Sequence, residues 1–286
     1  MLPKIIIPGE HHIYHIISDA ISTKRIVCFA GLPGVGKTLL LQQTALLAQR
    51  EGRKVHLLQW DVARNAFETE KNLELYPEVC GVTHPMIRKA TGLWSRLAIL
   101  DWYRNYDKPH LLLIEMPLVG NRFIELVQNQ NDDSETILQG EDTLFILPVP
   151  TKEVRKKIED IRAKTTSEPR HEREAHDANP DVLRSLWHEL FSLACDLDFA
   201  PTLQQKNTPY MPDVYRKTYE YLLKHRRVQV MSIDTVFSQK HSAYDLNEIT
   251  SEPTASSEEV SKIIAKIDSK YDCEKLTAEV NKWYII

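Results

Sequence analysis

Cysteine is scarce in this sequence and long apolar runs are missing, and each shortage excludes a class of protein. The four cysteines lie far apart with no C-x-x-C spacing, so they indicate neither a zinc site nor a disulfide framework. Every apolar run is far shorter than the roughly 20 residues that span a bilayer. The amino terminus, MLPKIIIPGEHH, also lacks the layout of a signal peptide. These absences predict a cytoplasmic protein without a membrane partner.

Positive charge is in short supply as well. The 36 Lys and Arg residues face 40 Asp and Glu residues, for a net charge of −4. A general nucleic-acid binder needs many basic side chains to displace counterions, so nucleic acid is expected only as a substrate end. Three nucleotide-binding motifs are absent: N-K-x-D for guanine, L-S-G-G-Q of transporter ATPases and G-x-G-x-x-G of dinucleotide-binding loops. These absences argue against a switch GTPase, a transporter ATPase and a dinucleotide-binding enzyme.

A phosphate-binding motif is present near the amino terminus. The stretch CFAGLPGVGKT fits G-x-x-x-x-G-K-[ST], with an apolar strand before it and a helical pattern after it. Glycines let the backbone amides point inward, and the helix N-terminus attracts phosphate oxygens. Lys37 is expected to reach the β and γ phosphates of ATP, and the Thr38 hydroxyl to bind Mg²⁺. The predicted nucleotide-binding residues are Gly31, Leu32, Pro33, Gly34, Val35, Gly36, Lys37, Thr38 and Leu39.

Alternating strands and helices predict an α/β fold. Apolar stretches bounded by turn residues predict strands at about 26–30, 55–60, 111–115, 144–149 and 228–233. Segments with helical spacing lie between them, so we expect a parallel sheet covered on both faces. The pattern predicts a three-layer P-loop NTPase fold with a central, mainly parallel sheet. The expected organisation is an N-terminal segment (1–24), a P-loop domain (25–238), and a linker with a helical tail (239–286).

Two segments differ in character from the rest of the chain. Residues 151–180 are charged and poor in apolar side chains, which predicts a mobile segment because little of it can be buried. Residues 250–259, TSEPTASSEE, have the composition of a linker. The apolar stripe that follows predicts a helix that packs on the domain, with a partner protein or a second copy of the chain as the alternative.

The second predicted strand points to a possible acceptor site. It leads into Asp61, and Arg64 follows three residues later. The carboxyl ends of adjacent parallel strands face one crevice, so Asp61 is expected near the phosphate loop if the first two strands are neighbours. A carboxylate there could accept the proton of a hydroxyl group, and Arg64 could hold an anionic part of the acceptor. The alternative is that Asp61 only caps the next helix.

The motif GLPGVGKT followed by a strand and Asp61-x-x-Arg64 resembles the P-loop kinases of small acceptors. This group includes phage-type polynucleotide 5′-hydroxyl kinase, zeta toxins, chloramphenicol phosphotransferase and gluconate kinase, and the resemblance covers roughly residues 25–235. It implies that Asp61 activates the acceptor hydroxyl and that Arg64 helps to hold the acceptor. It also implies an arginine-bearing lid over ATP at about 151–180. The lid candidates are Arg162, Arg170 and Arg173.

Two further residues are candidates for the site. Glu115 ends the third predicted strand, where many P-loop proteins carry an Asp for the metal. It could bind Mg²⁺ through water, orient the acceptor, or activate water in an ATPase. Arg122 could contact substrate, although a surface position is the simpler expectation. His11 and His15 have the i, i+4 spacing of a helical metal pair, but no carboxylate or cysteine nearby completes a set of metal ligands, which favours a surface helix.

These residues predict an ATP-dependent phosphotransferase that uses Mg²⁺ and transfers to a hydroxyl group. The acceptor could be a small molecule, a nucleoside or nucleotide, or a nucleic-acid end. The leading alternative is a P-loop ATPase that drives a conformational or assembly change, with Glu115 activating water. A third hypothesis is that the nucleotide only stabilises a scaffold for the tail, through which a partner or a second copy could bind.

Overall fold

The computed structural model describes residues 4–79, 81–201, 208–237, 241–246 and 249–286. The strands are β1 Ile26–Ala30, β2 Lys54–Gln59, β3 His110–Met116, β4 Thr143–Pro150 and β5 Val228–Ile233. The helices are α1 His12–Thr23, α2 Lys37–Arg50, α3 Trp60–Ala63, α4 Glu70–Leu75, α5 Pro85–Asn105, α6 Asp133–Gln139, α7 Lys152–Ser167, α8 Glu172–Ala175, α9 Pro180–Asp196, α10 Pro212–Leu222, α11 Ser257–Lys270 and α12 Cys273–Asn281.

The five strands form one parallel sheet in the order β2-β3-β1-β4-β5. All five strands predicted from the sequence are confirmed, because buried parallel strands appear as short apolar runs. The condition set for the position of Asp61, that β2 neighbours β1, is not met. β3 pairs with both, with Phe29 of β1 and Gln59 of β2 each opposite Glu115. The end of β3 therefore lies between the ends of β1 and β2.

Helices cover both faces of the sheet, which gives three layers. Alternate residues of a strand point to opposite faces, so Val27 and Phe29 pack with α1 and α2 on one side. Ile26 and Cys28 belong to the core on the other side, together with α5, α9 and α10. The α/β class and the layered sheet are thus as predicted. Among the described helices, none combines the length and the apolar character that crossing a bilayer requires.

The C-terminal helices pack back on the domain, as expected. Val260, Ile263 and Ile267 of α11 and Leu276 and Val280 of α12 are buried in the core that α5 shares. α11 begins with a capping box in which Ser256 and Glu259 bond each other's backbone amides. Residues 239–240 and 247–248 of the predicted linker and tail lie outside the described residues.

The predicted linker does more than connect two elements. The Leu57 amide donates to the Ser251 carbonyl at 3.0 Å, and the Thr250 amide donates to the Val55 carbonyl at 2.8 Å. These bonds pair the segment with β2, the outer strand of the sheet, whose backbone groups would otherwise face solvent. The start of the tail therefore covers one edge of the sheet.

Candidate functional site

The glycine-rich loop, residues 31–36, joins β1 to α2. Gly34 and Gly36 have φ of 78° and 90°, a region that residues with a Cβ rarely adopt. α2 begins at Lys37 with Gly36 as its N-cap, which has no side-chain cap. The first amides of a helix have no partner within the helix. The loop therefore offers free N–H groups and a helix N-terminus together, which is an arrangement that suits phosphate.

Lys37 and Thr38 lie against the end of β3. The Lys37 side chain is only 4% exposed, and its Nζ donates to the Leu32 carbonyl at 3.1 Å and lies 3.8 Å from Glu115 Oε1. Burial lowers the pKa of Lys37 to about 8, although the nearby Glu115 opposes the shift. The Thr38 hydroxyl donates to Glu115 Oε1 at 3.1 Å. Two oxygen groups this close form a donor set that fits a hard cation such as Mg²⁺.

Arg155 of α7 supports the glycine-rich loop and was not predicted from the sequence. It is 2% exposed, and its Nη1 donates to the Pro33 carbonyl at 2.7 Å. Its Nη2 donates to the Leu183 carbonyl at 3.4 Å, its Nε donates to Glu159, and its guanidinium lies over the Tyr210 ring. The only sequence signal for it was its position beside the apolar stripe of the predicted helix. It ties α7 and α9 to the loop.

Two tyrosines of α10 pack against the start of the glycine-rich loop and the end of β3. Tyr215 is fully buried, and a side chain at Gly31 would overlap its hydroxyl group. Tyr219 is also buried and donates to the Pro117 carbonyl, just after β3, at 2.7 Å. The two rings pack 4.8 Å apart. Rigid aromatic packing thus holds the ends of β1 and β3 in place.

One cavity of about 760 Å³ lies above the carboxyl ends of the strands. It brings together most of the residues predicted from the sequence, although these come from five separate segments of the chain. The predicted residues that line it are Pro33, Gly34, Val35, Gly36, Lys37, Thr38, Leu39, Asp61, Arg64, Glu115, Arg122, Arg162 and Arg170. The predicted residues Gly31, Leu32 and Arg173 are not among its lining residues.

Asp61, expected at the end of the second strand, lies in α3, two residues after β2 ends at Gln59. Its side chain is 84% exposed, and Arg64 Nε lies 3.6 Å from its Oδ1. Asp61 lines the same cavity as Lys37 although β3 separates their strands. Gln59, which ends β2, donates to Glu115 Oε2 at 3.1 Å. Glu115 thus connects the Lys37 side of the cavity to the Asp61 side.

Arg64 and Arg122 border the cavity near Asp61. Arg64 Nη1 lies 2.7 Å from Glu68 and 3.7 Å from Glu78, so carboxylates surround its charge. Arg122 is partly buried and lines the cavity. The simpler expectation of a surface position for Arg122 is therefore wrong, because the turn after β3 folds its side chain inward. Burial lowers the pKa of Arg122, opposed by the negative charge of Asp61.

The segment 151–180 forms α7, α8 and the loops around them. Arg162 pairs with Asp177, and Arg170 Nη2 lies 3.1 Å from Glu174 Oε1. The expectation that this segment buries little is wrong in one respect, because Glu174 is buried. Arg162 and Arg170 line the cavity, and each is held by a carboxylate that a phosphate group could replace.

Arg173 is placed differently from the other two predicted lid arginines. Its Nη1 donates to Gln59 Oε1 at 3.1 Å, and its Nη2 lies 3.6 Å from Glu252. Glu252 belongs to the segment that pairs with β2. The prediction that Arg173 faces the donor phosphate has no support in this geometry, because its guanidinium joins α8 to the tail.

A short segment after β5, residues 241–246, packs against α8 and the loop after it, and was also not predicted from the sequence. Gln42 of α2 donates to the Ser242 carbonyl at 2.8 Å, and the Ser242 hydroxyl donates to Glu174 at 2.7 Å. The Tyr244 hydroxyl donates to Asp177 at 2.5 Å, and its ring lines the cavity. The polar composition of this segment gave no sign of these contacts. It connects α2 to α8 and to the loop that follows α8.

The histidines near the amino terminus lie beside a carboxylate after all. His11 Nε2 is 3.8 Å from Asp234 Oδ1, which follows β5. His11, His12 and Asp234 could together offer ligand atoms within 4.8 Å of one another. The expected i, i+4 partner, His15, is not in this group. Because His11 Nδ1 accepts the Ile13 amide as the helix cap, its tautomer directs a proton towards Asp234.

Comparison of the chain with protein-family models, with curated proteins and with solved structures finds no match.

Proposed function

We propose that the protein is an ATP-dependent phosphotransferase that moves the γ-phosphate of ATP to a hydroxyl group of an acceptor. One observation carries the proposal: Lys37 and Asp61 line one cavity, with Glu115 between them. A cation-bearing loop on one side suits the donor phosphates. An exposed carboxylate on the other side suits a hydroxyl group that must lose its proton.

The donor side would hold ATP through the free amides of the glycine-rich loop and through Lys37. Thr38 and Glu115 would hold Mg²⁺, which, when bound, neutralises charge on the phosphates. Arg162 and Arg170 would exchange their present carboxylate partners for phosphate oxygens. Such guanidinium groups stabilise the charge that spreads over the transferred group.

The acceptor side would use Asp61. Its carboxylate would orient the acceptor hydroxyl and take its proton as the acceptor oxygen bonds to phosphorus and the bond to ADP breaks. Proton removal is late in a loose transition state, so the position of the carboxylate matters more than its basicity. The high exposure of Asp61 agrees with this role, because its side chain is directed at the cavity and not at the protein interior.

The alternative is an ATPase in which Glu115 activates water. Both carboxylate oxygens of Glu115 already accept hydrogen bonds, from Thr38 and from Gln59. A carboxylate held in this way is better suited to orient a metal than to remove a proton from water. This contact set favours the phosphotransferase.

The first prediction concerns Asp61. We expect Asp61→Asn to lower transfer to an acceptor by about 100-fold or more, because the general base is lost, while ATP affinity stays near wild type. Asp213→Asn is the matched control, since Asp213 is 88% exposed and also pairs with an arginine three residues later at 3.6 Å. The assay is transfer from ATP labelled at the γ-phosphate to pooled nucleosides, metabolites and oligonucleotides. Full activity in Asp61→Asn together with arrested hydrolysis in Glu115→Gln would contradict the proposal.

A further inference from the structure

The turn that follows β3 has an unusual backbone. Leu118, Asn121 and Phe123 have φ of 63°, 60° and 65°, and Gly120 has φ of 68°. This left-handed region is unfavourable for residues with a Cβ, least so for Asn. The turn is closed by two bonds between the backbones of Leu118 and Arg122, at 3.0 and 3.2 Å. Strain of this kind persists only where the surroundings impose it, and it concentrates at ligand-binding sites.

Buried groups hold this turn in its strained form. Arg88 of α5 is buried, and its Nη1 donates to the Gly120 carbonyl at 2.8 Å. Asn121 and Phe123 are also buried and anchor the turn on both sides of Arg122. The consequence is that the Arg122 side chain is directed into the cavity, beside Asp61.

Arg122 differs from the other arginines of the cavity in its partners. Arg64, Arg162 and Arg170 each lie within 4 Å of a carboxylate. Within the described part of the chain, the Arg122 side chain has neither a hydrogen bond nor an ion pair. At longer range the carboxylates of Asp61 and Glu189 attract it, whereas the charge of Arg64 repels it. A partly buried cation without a hydrogen-bonded partner is costly, and an anionic ligand would remove that cost.

We infer that Arg122 binds an oxyanion of the acceptor, so that the acceptor carries a phosphate or carboxylate group close to the hydroxyl that is phosphorylated. A guanidinium forms paired hydrogen bonds with either group. Arg122 and Asp61 line the same cavity, and the charge of Asp61 acts on Arg122, which would place the anion and the reacting hydroxyl on the same side of the cavity. This inference rests on the proposed function only in that it calls the bound molecule an acceptor. The anion site itself can be tested without measuring phosphate transfer.

The test uses phenylglyoxal, which modifies arginine side chains, on the full chain saturated with Mg²⁺ and a non-hydrolysable ATP analogue. The analogue fills the donor site, and inorganic phosphate or acetate is then added as the probe. We expect phosphate, acetate or both to slow modification of Arg122 by roughly 10-fold, as measured by peptide mass spectrometry. Protection by phosphate alone would identify a phosphate-bearing acceptor, and protection by acetate alone a carboxylate-bearing one. Arg104, which is 63% exposed and pairs with Asp133, serves as the internal control and should react at an unchanged rate.

A variant series gives a second measurement. Arg122→Met should weaken binding of the protecting anion to the analogue-saturated protein by roughly 10- to 100-fold, and Arg122→Lys should weaken it less, because it keeps the charge. Arg104→Met should bind as wild type. The inference is overturned if neither anion protects Arg122, or if the ATP analogue alone protects it fully, which would assign Arg122 to the donor. Failure of the analogue to bind would instead count against the proposed function, and anion protection of Arg122 would still be measurable.

Discussion

Arg155 and Gly34 form a contact that decides the shape of the glycine-rich loop. Arg155 Nη1 would lie 2.8 Å from a Cβ added at Gly34, and Leu183 Cδ1 would lie 3.0 Å from it. The loop therefore needs glycine at this position for two reasons, its positive φ and the closeness of a buried guanidinium. Close packing of a charged side chain against the loop keeps the Pro33 carbonyl fixed.

A pair of glycine substitutions separates these two reasons. Gly52 has φ of 80°, close to the 78° of Gly34, but a Cβ at Gly52 would meet nothing within 4 Å. We expect Gly52→Ala to lower the free energy of unfolding by about 1–2 kcal/mol, from backbone strain alone. Gly34→Ala should lower it by a further 1–3 kcal/mol or so, from overpacking. Urea unfolding of both variants measures the difference, and equal losses would show that the Arg155 contact does not constrain the loop.

At the scale of elements, a buried ion pair joins α5 to the tail. Glu125 is fully buried, and Lys89 of α5 lies 3.2 Å from it and 2.8 Å from Glu279 of α12. A Cβ at Gly92 would overlap the Glu125 carboxylate. This explains the glycine in the middle of α5, which helix propensity alone counts as a defect of about 1 kcal/mol.

The ion pair can be tested by a double-variant cycle. Lys89→Met should lower the free energy of unfolding by about 3–5 kcal/mol, because Glu125 is left buried without a partner. Replacing both residues, Lys89→Met with Glu125→Met, should restore most of that loss, since no buried charge remains. Denaturant unfolding of Lys89→Met, Glu125→Met and the double variant supplies the cycle. A double variant as unstable as Lys89→Met would mean that packing, and not the uncompensated charge, explains the loss.

A histidine pair connects β2, β3 and the tail segment. His56 is buried, and its Nδ1 shares a hydrogen bond of 2.6 Å with the Ser251 hydroxyl. Its Nε2 lies 2.7 Å from Nδ1 of His110 on the neighbouring strand β3. Burial lowers the pKa of His56 to about 4, and the neighbouring His110 adds to the shift. The folded protein thus holds His56 neutral.

This shift predicts a pH dependence of stability. The unfolded chain takes up a proton near pH 6.5, whereas folded His56 does so only near pH 4. The unfolded state therefore binds more protons between these values, and stability falls as the pH is lowered from about 6.5 to about 4. His56→Gln should flatten this part of the profile, and the exposed His15→Gln should leave it unchanged. Urea unfolding as a function of pH measures both. A profile for His56→Gln as steep as that of wild type would contradict the assignment.

At the scale of the whole molecule, most of the framework could be predicted from the sequence. Buried parallel strands produce apolar runs in the sequence, and the loop motif lies between a strand and a helix. The sheet and the glycine-rich loop can therefore both be recognised from short stretches of sequence. The order of the strands has no local signal. It depends on which helices pack together over long distances, and for this reason the place of β3 between β1 and β2 was not foreseen.

The parts of the site that escaped prediction depend on contacts between distant segments. Arg155, Tyr244 and the inward turn of Arg122 are examples, because each is defined by a partner far away in the chain. Arg173 was misplaced for the same reason, since its guanidinium bonds to Gln59 and not to the cavity. A charged stretch in the sequence shows which residues are available, but not which side chains face the site.

The most direct test of whether the cavity binds a donor and an acceptor together is to identify the product that receives the γ-phosphate of ATP. Purified protein is incubated with Mg²⁺, ATP labelled at the γ-phosphate and the pooled acceptors, and the labelled products are separated. We predict label in an organic phosphate ester, in wild type and in Asp213→Asn but not in Asp61→Asn. Label found only in inorganic phosphate, released equally well by Asp61→Asn, would contradict the account.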